Sequence, residues 1–417
     1  MTSTSKTVNR ALVATLVAAF LGWMFDGLEM GIFPLVARPA LQEFQSVAGA
    51  ANEQFVQHWM GVVTATFLLG AAAGGLVFGW LGDRIGRVRS MTLSILVYSV
   101  FTGLNYFARQ PSDLALFRFI SALGMGGEWS LGVALVMEAW PEGKRPLMAG
   151  LIGMSSNVGF ALVALIGFFF QVTVHSWRWV MLVGALPALL ALAIVVFVPE
   201  SERWKQSVLS EGQSRPLREI FGPKLVTRTL LGILIASIPL IVTWGIVLWI
   251  PLWADQMTGG TQPRVKALSL LVIALGGAAG AMVAPLIGKR IGRRPVYVGL
   301  CLVSFAACSI LFRAFHAYSG SFLVFAALVG FTSSSFYGWM PQYMPELFPT
   351  RVRATGQGVC YNFGRILTAV SAWKMGSLMA WFDNSYAHAG AALVFIYVIG
   401  IIGIWFLPET IGRPLPD

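Results

Sequence analysis

Stretches of roughly twenty apolar residues, the length a helix needs to cross the hydrocarbon core of a bilayer, recur from one end of this chain to the other. By that rule residues 11–36, 55–81, 91–107, 114–136, 147–172 and 177–198 are spans 1 to 6. Residues 230–253, 267–287, 296–315, 322–340, 356–382 and 390–407 are spans 7 to 12. A soluble fold could hide so many apolar residues only beneath a charged surface, about 25% of an average domain. Here 11% of 417 residues are charged and 57% are hydrophobic. The chain is therefore predicted to be an all-α membrane protein. Its first run lacks a small-residue cleavage site and reads as a spanning helix rather than a cleaved leader.

The net charge of +11 would suggest nucleic acid in a soluble protein, but its placement follows topology. With the N-terminus in the cytoplasm, 20 of the 29 Lys and Arg fall in cytoplasmic segments and 6 on the opposite side or its helix ends. Arg118, Arg365 and Lys374 lie inside spans, Lys374 near the outer surface. The positive-inside rule thus places both termini in the cytoplasm. Anionic lipid, not nucleic acid, is the expected partner of the loop charges. The three cysteines have no metal-ligand spacing, and there is no Walker loop, nucleophile elbow or HExxH helix. Neither an enzyme nor direct ATP coupling is expected, and no cofactor beyond a coupling proton.

The chain repeats itself at half its length. Gly82-Asp83-Arg84-Ile85-Gly86-Arg87 returns as Gly288-Lys289-Arg290-Ile291-Gly292-Arg293, 206 residues later. Glu138 and Arg145, flanking Trp140-Pro141, return as Glu346 and Arg353, flanking Phe348-Pro349, at an offset of 208. Pro199-Glu200-Ser201 is echoed by Pro408-Glu409-Thr410 at 209. Two six-helix units, 1–198 and 230–417, joined by a polar cytoplasmic loop 199–229, account for this. An even number of helices per unit makes the repeats parallel, the plan of transporters that hold substrate between their halves near mid-membrane.

On these residues the chain resembles the major facilitator superfamily along nearly its whole length. Gly79 to Arg87 is similar to that family's signature between helices 2 and 3. Arg118 to Glu128, with Gly124, Gly126 and Gly127, is similar to its helix-4 motif. Pro199-Glu-Ser-Glu-Arg203-Trp204 and Pro345-Glu346-Leu-Phe-Pro349-Thr-Arg351-Val-Arg353 resemble motifs of sugar porters and organic-acid proton symporters. Asp26-Gly27-Leu28-Glu29 and Tyr361-Asn362-Phe363-Gly364-Arg365 look most like the sialate- and aromatic-acid–proton symporters. The resemblance implies a twelve-helix fold, alternating access, and a charged latch at the cytoplasmic helix ends. The latch would be built from Gly82, Asp83, Arg84, Gly86 and Arg87, with Glu138, Arg145, Glu346 and Arg353 as matching elements. Asp83 becomes Lys289 in the second copy, so the two gates are not equivalent. Exposed ion pairs of about 0–1 kcal/mol each would suit a latch that breaks every cycle.

Ionisable side chains at mid-bilayer cost roughly 2.5–3.5 kcal/mol on insertion scales and are functional candidates by default. Asp26 is expected to bind the coupling proton with Arg118 as its counter-charge, because moving an arginine relative to a buried carboxylate changes its proton affinity. The alternative is a static pair that only holds spans 1 and 4 together. Glu29 shares the Asp26 face and is either a second proton site or an inert vestibule group. Glu128 is either part of the proton path or a helix–helix hydrogen bond. Arg365 has no acidic residue in any second-half span, so a substrate carboxylate is the expected partner of its planar fork, against a hydrated structural role. Tyr361 and Asn362 flank it, and Asn157 occupies the matching position of span 5. Trp244 and Tyr337 are candidates to stack on a ring or shield the cavity.

The reading that follows is proton-coupled symport of a small organic anion by a functional monomer in a plasma (inner) membrane. A proton-coupled sugar or polyol porter, a facilitated uniporter, an antiporter and a transporter-like sensor stand as alternatives.

Overall fold

The computed structural model describes residues 2–48, 53–170, 172–211, 215–259, 262, 264–373, 381–383 and 385–416. It is helical throughout, with no strand among the described residues. Span 1 is Thr2–Ala48, span 2 Glu53–Ile85, span 3 Arg87–Leu104 and span 5 Arg145–Phe169; span 8 is Val265–Ile291, span 9 Arg293–Ala314, span 10 Gly320–Leu347 and span 11 Arg353–Trp373. The other four are each in two pieces: Pro111–Met125 with Glu128–Ala139 (span 4), Trp177–Val183 with Pro187–Phe197 (span 6), Val226–Gly245 with Ile250–Met257 (span 7), and Tyr386–Leu393 with Ile396–Gly403 (span 12). Ten described helical stretches are long and apolar enough to cross a membrane. Spans 3 and 11 complete the twelve predicted; residues 374–380 of span 11, Lys374 among them, lie outside the described residues. Loop 199–229 holds two short helices, Glu202–Glu211 and Pro216–Ile220.

Span 1 runs well past its predicted end at residue 36. Pro34 and Pro39 lie inside it, each removing one i→i−4 hydrogen bond. Buried Val36, Ala40, Leu41 and Phe44 hold the extra turns, Phe44 edge-on against Trp177. At the end of the molecule bearing Arg87 and Arg293, hereafter the basic end, spans 2 and 8 turn sharply into spans 3 and 9. Gly86 and Gly292 make these turns at φ 108° and 102°, a left-handed region that only glycine enters without strain. This is why the glycine of the repeated motif is kept in both copies.

Spans 1–6 pack together, as do spans 7–12, and the two sets meet mainly through spans 2 and 11, 5 and 8, and 5 and 10. The break in span 4 lies where the backbone of span 2 comes closest. A Cβ on Gly126 would sit 2.7 Å from the Gly75 nitrogen, so the helix-4 glycines are there for contact.

Candidate functional site

Between the two halves lies a cavity of about 40 Å³ lined from both sides. Trp23 and Met30 of span 1 and Ser156, Asn157 and Phe160 of span 5 line it from the first half. Thr243, Trp244 and Leu248 at the break in span 7, Ser334 and Tyr337 of span 10, and Tyr361 and Arg365 of span 11 line it from the second.

Five sequence-predicted substrate residues line the cavity, and the sixth, Asn362, acts behind them. Its Oδ1 accepts from Arg365 Nη1 at 2.8 Å, while its amide donates to the carbonyls of Gly126 at 3.1 Å and Gly358 at 2.9 Å. Asn362 thus anchors the arginine and ties span 11 to span 4. The guanidinium lies 5.0 Å from the Tyr361 ring centroid. Asn157 Oδ1 accepts from Ser334 Oγ at 3.2 Å across the interface, and Tyr337 donates to Thr243 at 2.8 Å.

Sequence reasoning missed Trp23, which stands one helical turn before Asp26. With Trp129, Tyr337 and Tyr361 it forms a ring layer spanning both halves: Trp129 stacks on Tyr361 at 4.2 Å, and Trp23 meets Trp129 at 6.3 Å and Tyr337 at 6.2 Å. Trp129, Tyr337 and Tyr361 lie some 8–10 residues in from the basic ends of their spans, about 12–15 Å. Trp23, Tyr337 and Tyr361 of this layer also line the cavity. An indole close to a membrane carboxylate was the signal available.

The predicted pairing of Asp26 with Arg118 is corrected. Arg118 forms its ion pair with Glu29, backed by Ser121 at 3.3 Å from the same oxygen and by the rings of Phe67 and Phe33, 4.4 and 5.0 Å from the guanidinium carbon. Level explains this. Arg118 sits near the end of span 4 away from the basic end, and Glu29 stands three residues, about 4.5 Å, nearer that end than Asp26. Glu29 is not an inert vestibule group: it is 1% exposed. Asp26, also buried, has Glu128, Arg365 and Glu29 as its charged neighbours. Arg365 therefore has an acid of the first half within electrostatic reach. Glu128 lies against Gly22 of span 1, one turn from Asp26, and among the described residues neither of its oxygens has a hydrogen-bond partner. The helix–helix hydrogen bond is not made.

At the basic end the first half is tied to the second, and the ties are buried rather than exposed. Asp83 accepts from Thr355 N at 2.8 Å, Thr355 Oγ1 at 2.6 Å and Ala354 N at 3.3 Å, fastening span 2 to the start of span 11. Arg87 donates to Asp83 at 2.8 Å, Gly82 O at 2.6 Å, Glu138 at 3.0 Å and, across the interface, Thr350 O at 2.8 Å. Glu138 also takes Arg353 of the second half at 3.0 Å. These ionic side chains are all inaccessible, so the small value of an exposed pair does not apply to them.

Among the described residues Arg84, Arg145 and Glu346 make no hydrogen bond or ion pair across the interface. Arg84 is exposed and stacks on Trp80 of its own span. Arg145 donates to Trp140 O at 3.1 Å and Glu142 at 3.2 Å in its own half. Glu346 binds Arg293 at 2.6 Å and accepts from Thr410, all in the second half. The repeat thus keeps its internal brace, Arg87–Glu138–Ser201 matched by Arg293–Glu346–Thr410. Among the described residues the first copy alone adds an acid that bonds across the interface, Asp83. Lys289, in the place of Asp83, reaches across to Gly143 O at 3.1 Å.

Residues 12–372 match the Major Facilitator Superfamily. A metabolite transport protein of Haemophilus influenzae is 30% identical over 409 residues, covering 96% of this chain and 97% of that one. The sialic acid transporter of Escherichia coli (strain K12) is 28% identical over 94% of this chain and 92% of its own. Among solved structures, a proton:xylose symporter bound to 6-bromo-6-deoxy-D-glucose superposes with a TM-score of 0.80 at 18% identity, covering 97% of this chain and 98% of that one.

Proposed function

The chain belongs to the Major Facilitator Superfamily and is a multi-pass membrane transporter of metabolites, and on that footing we propose that it carries a small organic anion in symport with protons. One observation carries this reading: Arg365 sits buried in the cavity between the halves, with Asp26 of the other half among its charged neighbours. While Asp26 is ionised it competes with any anion for the guanidinium. A proton on Asp26 removes that competition and leaves Arg365 to a carboxylate, which its fork takes bidentately. Proton and anion then favour each other's binding, and by linkage the coupling is reciprocal.

Asn362 and Tyr361 hold the arginine from behind and beneath. Asn157 offers a polar contact, and Trp244 and Tyr337 supply aromatic walls for a ring or an apolar face. Glu128 shares the proton with Asp26, and the Glu29–Arg118 pair sets the field around both. The halves, 1–198 and 230–417, rock about this site as units joined by 199–229, with the Asp83 and Glu138 contacts closing the cytoplasmic side in one state. Both termini lie in the cytoplasm, the membrane is a plasma (inner) membrane, and the monomer is the working unit.

Proteoliposomes with an external pH dye test the reading, using sialate, lactate, aromatic acids, sugar acids and neutral sugars beside Asp26→Asn and Arg365→Ala. External alkalinisation with one acid, lost in both variants, is expected. A response to a neutral sugar that survives Arg365→Ala would instead establish a sugar or polyol porter. Anion flux without proton movement would establish a uniporter.

A further inference from the structure

The first half encloses a second polar region that the cavity does not reach. On span 3 and the turn that follows it, Ser94, Tyr98, Thr102 and Asn105 recur at helical spacing, and all four are fully buried. Ser94 is occupied, donating to the Gly124 carbonyl at 2.5 Å. The other three follow the acids of spans 1 and 4. Tyr98, beside Ser99, interacts electrostatically with Asp26, Glu128 and Glu29. Thr102 and Glu29 meet on either side of Gly184 of span 6: a Cβ there would run into the Thr102 methyl and lie 3.2 Å from Glu29 Oε2.

Among the described residues Asp26 Oδ1, Glu29 Oε2, both Glu128 oxygens, Thr102 Oγ1 and Asn105 Oδ1 have no hydrogen-bond partner. Buried polar atoms are normally satisfied by protein or by ordered water. Orphan oxygens on three adjoining spans therefore mark a polar region that water can enter. From Tyr98 to Asn105 is seven residues, about 10 Å along the helix. Beyond Asn105 the carbonyls of Tyr106 and Ala108 each accept from Arg178 at 3.0 Å, and Arg178 pairs with the partly exposed Glu43. The polar region thus reaches from mid-membrane to the surface opposite the basic end. The cavity lining comes from spans 1, 5, 7, 10 and 11 and includes no residue of span 3.

We propose that span 3 carries a proton path, separate from the substrate cavity, from the Glu43–Arg178 surface past Asn105, Thr102 and Tyr98 to Glu29, Asp26 and Glu128. Water and hydroxyl groups relay the proton: each accepts one on its oxygen and releases its own to the next, and the last O–H bond forms on a carboxylate. Arg118 at Glu29 and Arg365 at Asp26 are the positive charges facing the path's end. Protons and anion then enter by different doors and meet only through the neighbouring charges of Asp26 and Arg365. The path rests on the proton-coupled reading above.

The test needs no substrate. After a rapid acid jump on the purified full-length protein, the growth of the carboxylic-acid C=O infrared band reports proton arrival, and Asp26→Asn and Glu128→Gln assign it. Thr102→Val and Tyr98→Phe are each expected to slow that growth tenfold or more with the final amplitude unchanged, whereas Ser94→Ala leaves the rate alone. Unchanged amplitude also shows that the variants are folded. If the band is assigned but its rate is the same in both variants and in the double variant, the path is overturned while the proton site stands. If neither Asp26→Asn nor Glu128→Gln removes any of the band, the proton-site reading falls and takes the path with it.

Discussion

Replacing Asp83 by asparagine separates a gate from a brace. Asp83 keeps the halves together through two short hydrogen bonds from Thr355, at 2.8 and 2.6 Å, and a longer one from Ala354 at 3.3 Å. Asparagine preserves size and one acceptor oxygen but turns the other into a donor. At least one bond to a charged acceptor is lost, worth about 1.5–3 kcal/mol, which converts to roughly 10- to 150-fold in the ratio of closed to open basic ends. Spin labels at Arg89→Cys and Arg290→Cys, both exposed positions on opposite halves, would report that ratio as a distance distribution, with buried Cys301, Cys308 and Cys360 replaced by alanine. Asp83→Asn is expected to add a longer-distance population. Glu346→Gln is the internal control, because among the described residues the hydrogen bonds of the Glu346 carboxylate come from Arg293 and Thr410 of its own half, and it should leave the distribution unchanged. No shift with Asp83→Asn, or equal shifts with both, would refute the asymmetry argued here.

Three further outcomes are expected. Glu29→Gln strands the buried Arg118 guanidinium and should lower stability by about 3–5 kcal/mol, read as a fall in Tm that Glu29→Gln/Arg118→Met largely restores; an unchanged Tm in the single variant would mean the pair is not formed. Glu409 lies beyond the last span: burial alone would push its carboxyl up, but the backbone N–H groups of Arg293, Arg294, Thr410 and Ile411 outweigh it and hold the carboxyl below its ordinary value. Its contribution is therefore present above the unfolded value of about 4.3 and is lost as pH falls through the lower folded value, and thermal melts of Glu409→Gln should lose that acid-side slope. Gly126→Val drives a side chain into the backbone of span 2 and should lower stability by about 1–3 kcal/mol, whereas Gly143→Ala, with nothing within 4 Å of the new Cβ, should be neutral in the same melts.

Much of this protein was fixed by its sequence, because the relevant physics is local or additive. Burying twelve apolar runs without a charged surface leaves a bilayer as the only solvent. A half-length repeat of Gly86, Arg87 and Glu138 as Gly292, Arg293 and Glu346 requires the same turn and the same brace twice. Arg365, Asn157, Trp244 and Tyr337 were legible as cavity residues because depth follows from residue count along a helix. Partnership was not legible, because it depends on how each helix is rotated and at what level it meets its neighbours. Three residues along span 1 decide that Arg118 takes Glu29 and that Asp26 looks towards Glu128 and Arg365. The latch seemed exposed because its residues sit in loop sequence; the close approach of span 2 to the start of span 11 buries it. The sequence places charges at depths, and only packing the two halves against each other decides which of them meet.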